Sequence, residues 1–357
     1  MDPNARDRGH INLGFKGWKD LCPAAVVNKL VRAHGQIPAS VQPNIEAIRI
    51  QTDRVIESIY PEHQPDITVV WFSDPDQTHH YQGVASPDLA TAIRHVDTQF
   101  GRLLDWRLSS GLQDRLQVIA LSDHGHLTAR QKIDVNAKAA KAGLTIGEHF
   151  DDGADYAGYT SYSGSVRVRD KDPKRMAALV DWLSHQPWCG MIFTPNGNGI
   201  EGCIPGTLDH ASVLMDHPRT PEVFYIMRND DAIFGGGIVG SCFYNGPYPA
   251  GGGTHGDLHE KELHIVMAAQ GTLFKTGLES RHPAGIINIA STVLHCLGLD
   301  QPAGSDGRVL TEALANSDGE PPGADTVVHR VKRNGAVQHL KYTNFGSTTY
   351  LDAGWVE

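Results

Sequence analysis

The chain has 357 residues, 41 acidic against 31 basic side chains for a formal charge of −10, and 40% hydrophobic residues. That length suits one large α/β domain, or a core carrying a sizeable insertion, and the composition is globular rather than disordered. The acidic balance, with no basic stripe, argues against a nucleic-acid duplex as partner, although an acidic protein can bind phosphates where metal ions supply the positive charge.

Five widely spaced cysteines (Cys22, Cys189, Cys203, Cys242, Cys296) fit buried thiols better than a disulfide framework. The amino terminus lacks the apolar core of a signal peptide, and no run approaches the ~20 apolar residues that span a bilayer. The expectation is a cytoplasmic chain with no membrane partner; its oligomeric state is not legible.

In chain order, residues 1–20 are polar and read as a loop. Helices are expected over 22–34 and 43–60, the second carrying an approximate stripe of Ile45, Ile48, Ile50, Val55, Ile56 and Ile59. An apolar strand over 67–72 then leads to Asp74-Pro75-Asp76, with His79 and His80 behind it. Asp76 and His80 are four apart, so a helix starting there puts both on one face. Ser86-Pro87 caps a helix whose apolar positions Leu89, Ile93, Val96, Phe100, Leu103 and Leu104 form one face. The next apolar run, 116–121, ends in Asp123-His124-Gly125. Strand, helix, strand at this spacing predicts a βαβ crossover, with both Asp-bearing ends at one sheet edge.

Beyond residue 125 a helix is expected behind Asp134, stopped by Gly143. A strand in SGSVRVRD, a helix in RMAALVDWLSHQ and strands in GMIFT and EVFYIMR follow. A glycine-rich passage reaches GGGTHGD, which frames His255, and ELHIVMAA reads as a strand. A helix over GIINIASTVLHCLGL ends at Gly298, and after a linker the tail forms a hairpin turning at Asn334-Gly335, then a last strand near STTYLDAGW. The domain reading is a core over 1–320, with an inserted α+β subdomain over 126–230, and a C-terminal hairpin extension over 321–357.

Asp and His at strand ends are good metal ligands, and ligands bind beyond the carboxyl ends of strands in open α/β sheets. Each motif alone is an ordinary turn. Two Asp/His pairs plus a glycine-framed His make a more specific set, and no GxxxxGK[ST] loop, GxSxG elbow or CxxC pair supports another chemistry.

The ordered motifs, PD-x-x-x-H, SDHG, G-x-HG and then IINIASTVLHCLGL followed by GRVL, span roughly residues 43–315. They resemble the alkaline phosphatase superfamily, in particular its type I phosphodiesterase and nucleotide pyrophosphatase branch. The resemblance implies an α/β fold: a three-layer α/β/α sandwich with a mostly parallel central sheet. It also implies a metal-dependent phosphohydrolase acting on a small phosphorylated substrate with two divalent ions, usually zinc. One ion falls to Asp76, His80 and His255, the other to Asp123 and His124 with further ligands from the amino-terminal part. Family members carry a metal-binding Asp and a Thr or Ser nucleophile well upstream of PD-x-x-x-H. Here no apolar strand in the first 75 residues ends in Asp, so the nucleophile is unassigned, and PNARDRGHINLG suggests that Met1 is an internal start. The alternative reading is a truncated or degenerate member that binds one metal ion or a phosphorylated ligand without efficient catalysis.

Overall fold

A computed structural model describes residues 23–150, 153–317 and 321–357; the expectations for residues 1–20 lie outside the described residues. The chain divides into two compact units, residues 1–113 and 114–357.

The described part of the first unit is helical. It comprises α1 (Ala24–His34), α2 (Ile45–Arg54), α3 (Tyr60–His63), α4 (Asp76–Gln82) and α5 (Pro87–Ser109), with a π turn over Val55–Ile59 joining α2 to α3. Leu30, Ile48, Ile50, Leu89 and Ala92 are buried where α1 and α5 pack on α2. Ser86 caps α5 as expected, its hydroxyl accepting from the Leu89 N–H at 3.1 Å.

Residues 67–72 do not form the expected strand, and Ile67, Val69 and Trp71 are exposed. A strand needs a neighbour to take its amides and carbonyls, and the first unit holds no other strand among its described residues. The expected parallel crossover is therefore corrected: the run at 116–121 does become a strand, but its partner lies elsewhere.

The second unit contains, in order, β1 (Val118–Leu121), β2 (Leu127–Lys132), α6 (Val135–Lys141), β3 (Ile146–Gly147), β4 (Tyr156–Thr160), β5 (Ser163–Val168), α7 (Pro173–Ser184), β6 (Cys189–Thr194), β7 (Leu208–Asp209) and β8 (Val223–Met227). Then come β9 (Asn229–Ile233), β10 (Val239–Tyr244), β11 (Gly253–Thr254), α8 (Glu260–Leu263), β12 (Met267–Gln270), α9 (Ile287–Cys296), β13 (Ala324–Arg333), β14 (Ala336–Phe345) and β15 (Thr348–Val356). The fold class is α/β, as expected, and the sheets are mixed.

A six-stranded sheet, β3-β4-β5-β8-β6-β7, forms the centre of the second unit. Because strand side chains alternate between faces, Ile192 packs with α6 and α7 residues such as Val135, Ala139, Leu179 and Leu183. Met191 and Phe193 face the other way, onto Val331 and Leu340 of the C-terminal sheet β13-β14-β15. Gln338 fastens these layers, its side chain accepting from the Ile192 N–H at 2.7 Å and donating to the Gly206 carbonyl at 2.6 Å. The hairpin turns at Asn334-Gly335, both at positive φ (47° and 82°), as a two-residue turn between twisted strands requires.

Two smaller sheets carry the motif loops. β1 pairs antiparallel with β12, Leu121 opposite Met267, and β2 lies between β11 and β10. ELHIVMAA is corrected in part: Glu260–Leu263 are helix α8, and only Met267–Gln270 are strand. No helix among the described residues is long and apolar enough to cross a membrane.

Candidate metal centre

In the first unit, Asp76 opens α4 and His80 lies one turn on, so the four-residue spacing brings His80 Nε2 to 3.1 Å from Asp76 Oδ1. His80 is buried. The turn that presents them is organised by Asp74, also buried, whose carboxylate accepts from the Asn44 N–H at 2.6 Å, the Thr78 N–H at 3.1 Å and the Thr78 hydroxyl at 2.8 Å. One of the unpaired amides of the first helical turn is thereby satisfied.

In the second unit, β1 delivers Asp123 and His124 at its end. The stop is set by a distant segment: the Ser122 N–H donates to the Val266 carbonyl at 3.1 Å and the Gly125 N–H to the Glu262 carbonyl at 2.8 Å. Gly125 has no alternative residue there, since a Cβ would lie 1.9 Å from the Lys261 carbonyl oxygen. His124 Nδ1 lies 3.0 Å from the Gly125 carbonyl oxygen, a bond that makes Nδ1 the donor and leaves Nε2 as a ligand nitrogen. That Nε2 is 3.4 Å from Asp123 Oδ2.

His255 arrives from β11. The antiparallel register sets Thr254 opposite Leu127, so the next residues outward, His255 and His126, emerge side by side. Their ring centroids are 5.3 Å apart, His124 lies 5.2 Å from His126, and His124 stacks on His255 at 3.6 Å and 16°. Tyr162 covers the site from the β4–β5 turn, 5.1 Å from the His255 ring at 18°. Behind it, Asp257 and Glu262 are buried; burial pushes the Asp257 carboxyl up to about 7 and raises that of Glu262 as well.

A profile described as type I phosphodiesterase / nucleotide pyrophosphatase matches residues 22–197, the stretch holding Asp76, His80, Asp123 and His124. Ectonucleotide pyrophosphatase/phosphodiesterase family member 7 of Homo sapiens is 34% identical over 282 residues, 73% of this chain and 53% of that protein. Over these residues the chain is similar to the type I phosphodiesterase and nucleotide pyrophosphatase family. It spans about half the length of that curated relative. Among solved structures, alkaline phosphatase PafA has a TM-score of 0.57 at 16% identity, covering 88% of this chain and 62% of its own. Murine ectonucleotide pyrophosphatase / phosphodiesterase 5 has a TM-score of 0.51 at 15% identity, covering 78% and 65%. At such identities these two share the fold.

Of the superfamily motif residues read from the sequence, Asp76 and His80 meet in the first unit, and His124 and His255 meet in the second with Asp123 beside them. His126 was not among the predicted ligands. The signal that would have found it is the β2 strand: once LTARQK is paired against GT, the residue before β2 must sit beside the residue after β11.

Proposed function

We propose that the chain is a metal-dependent phosphohydrolase that cleaves a phosphate ester of nucleotide type, with Asp76 and His80 of the first unit and Asp123, His124 and His255 of the second as its metal ligands. The observation that carries this reading is the spacing of the donor atoms within each motif. Two ligands on one tetrahedral zinc ion, each bonded at ~2.0–2.1 Å, lie ~3.3–3.4 Å apart. The Asp76–His80 and Asp123–His124 contacts are 3.1 and 3.4 Å, so each pair suits one ion with little rearrangement. Carboxylate and imidazole donors suit zinc. The stacking of His124 on His255 at 3.6 Å supports their serving different ions, because two imidazoles on one tetrahedral ion have ring centres ~5 Å apart.

Asp76 and His80 would hold an ion in the first unit and Asp123 and His124 one in the second, where His255 would serve a different ion from His124 and His126 lies close to both imidazoles. When bound, such ions supply Lewis acidity at the phosphoryl oxygens. The residues of this chain orient the ions, and Tyr162 shields the His255 ring from water on one side. A nucleotide-type substrate is supported by the branch itself and by a structure of murine ectonucleotide pyrophosphatase / phosphodiesterase 5 in complex with AMP.

Metal analysis of the purified chain tests the reading. The wild type is expected to retain zinc, and His80→Ala and His124→Ala each to lose part of it, since each variant removes one ligand of its pair. Equal retention by all three proteins would sink the assignment. Hydrolysis of bis(nitrophenyl) phosphate is expected to be slow, abolished by chelator and reduced by His80→Ala.

A further inference from the structure

We propose that Glu262 is a positioning residue of the metal centre, a single side chain and its own peptide unit that fix the two motif loops of the second unit to one another. The role rests on the metal-centre reading above. The Glu262 carbonyl accepts from the Gly125 N–H at 2.8 Å, the residue after Asp123-His124. Its carboxylate Oε2 accepts from the Asp257 N–H at 2.7 Å, and the neighbouring Gly256 N–H faces the same carboxylate; these are the two amides that follow His255. One residue of α8 thus terminates both loops, although His124 and His255 are 131 positions apart (255 − 124).

The chemistry of the residue argues for a specific use. Glu262 is 3% exposed, and a carboxyl group taken out of water is costly unless its oxygens are hydrogen-bonded. A leucine or methionine would fill a buried helical turn at less expense in desolvation. What an apolar side chain cannot do is accept the amide of Asp257, which Gly256 at φ 99° has turned inward. The platform under Glu262 is rigid: the Lys261 N–H donates to His259 Nδ1 at 3.2 Å, and the Leu258 carbonyl accepts from the Gly354 N–H of β15 at 2.6 Å. The Asn229 side chain donates to Asp257 Oδ1 at 2.6 Å from the other side. Groups that hold a metal ligand's backbone in place typically contribute 10–100-fold in metal affinity.

The test compares wild type, Glu262→Gln and Glu262→Met by competition for zinc against a chromophoric chelator, with amide hydrogen exchange of Gly256 and Asp257 measured in the zinc-free wild type. Glu262→Met preserves volume and removes the acceptors, and is expected to bind zinc about 10–100-fold more weakly. Glu262→Gln keeps a carbonyl acceptor and is expected to stay within about threefold of wild type, a rescue that a purely space-filling role would reverse. The two amides are expected to be protected without metal. Equal zinc affinity in wild type and Glu262→Met, a Gln variant as weak as the Met variant, or rapid exchange of both amides in the wild type would each overturn the role. A wild type that takes up no zinc would instead overturn the reading of the site itself.

Discussion

The two units hold their imidazoles by different means. In the first, Asp76 and His80 belong to one seven-residue helix, and the carboxylate that organises the turn, Asp74, is two positions before it. In the second, His124 and His255 come from loops in distant parts of the chain and are brought together through α8 and the β2–β11 register. A site built from local spacing loses geometry one bond at a time. A site built by one long-range junction should lose it at a single residue.

Gly125→Ala should break the second arrangement with the largest effect. Its Cβ would meet the main-chain Lys261 oxygen at 1.9 Å, and a backbone atom cannot move aside as the end of a side chain can. The loop must part from α8, at about 4 kcal/mol, with zinc retention falling as stability falls. Urea unfolding and metal content measure both, and a variant within about 1 kcal/mol of wild type would show that the junction is soft.

Asp74→Ala probes the local arrangement. It leaves the buried Asn44 and Thr78 amides without their acceptor, at about 3 kcal/mol for bonds to a charged group. The loss should be confined to residues 44–83 by hydrogen exchange. Spread into residues 114–357 would mean that the local picture is wrong.

This contrast also explains what could be read from the sequence. The spacing of Asp76 and His80 needed only a helix, and Ser86, Asp134, Gly298 and Asn334-Gly335 announced element ends through local backbone chemistry. GMIFT read as a strand, and β6 covers it. The strand expected at 67–72 failed because apolar composition does not supply a pairing neighbour, and Val118–Leu121 found β12 instead of a parallel partner. His126 and Glu262 were illegible for the same reason. Each matters through a partner more than a hundred residues away, and nothing in LTARQK or HEKELH identifies that partner.

The buried pair behind His255 gives the second unit a pH dependence. The Asp257 carboxyl is raised by burial to about 7, and that of Glu262 is raised first by burial and then by the charge of Asp257. A carboxyl whose folded value is raised binds its proton more tightly in the folded state. The stability it contributes is fully present below the ordinary carboxylate value and is lost as pH rises through about 7. The zinc-free second unit should therefore lose roughly 2–3 kcal/mol between about pH 5 and 7.5. Asp257→Asn should flatten the slope, and an unchanged slope in that variant would place the titration elsewhere.

The smallest effect sharpens the local side of the contrast. Thr78→Val keeps the shape of the side chain and the Thr78 N–H, and removes only the hydroxyl that donates to Asp74 Oδ1 at 2.8 Å. Asp74 would keep two backbone donors, from Asn44 and Thr78, so its charge stays partly satisfied and the loss should be about 1 kcal/mol. Because α4 is positioned by several such bonds, His80 should hold its place and zinc retention should fall by no more than about twofold. If Thr78→Val instead cost as much zinc as Glu262→Met, the turn before α4 would itself be a single-residue junction. The two units would then hold their imidazoles by the same means.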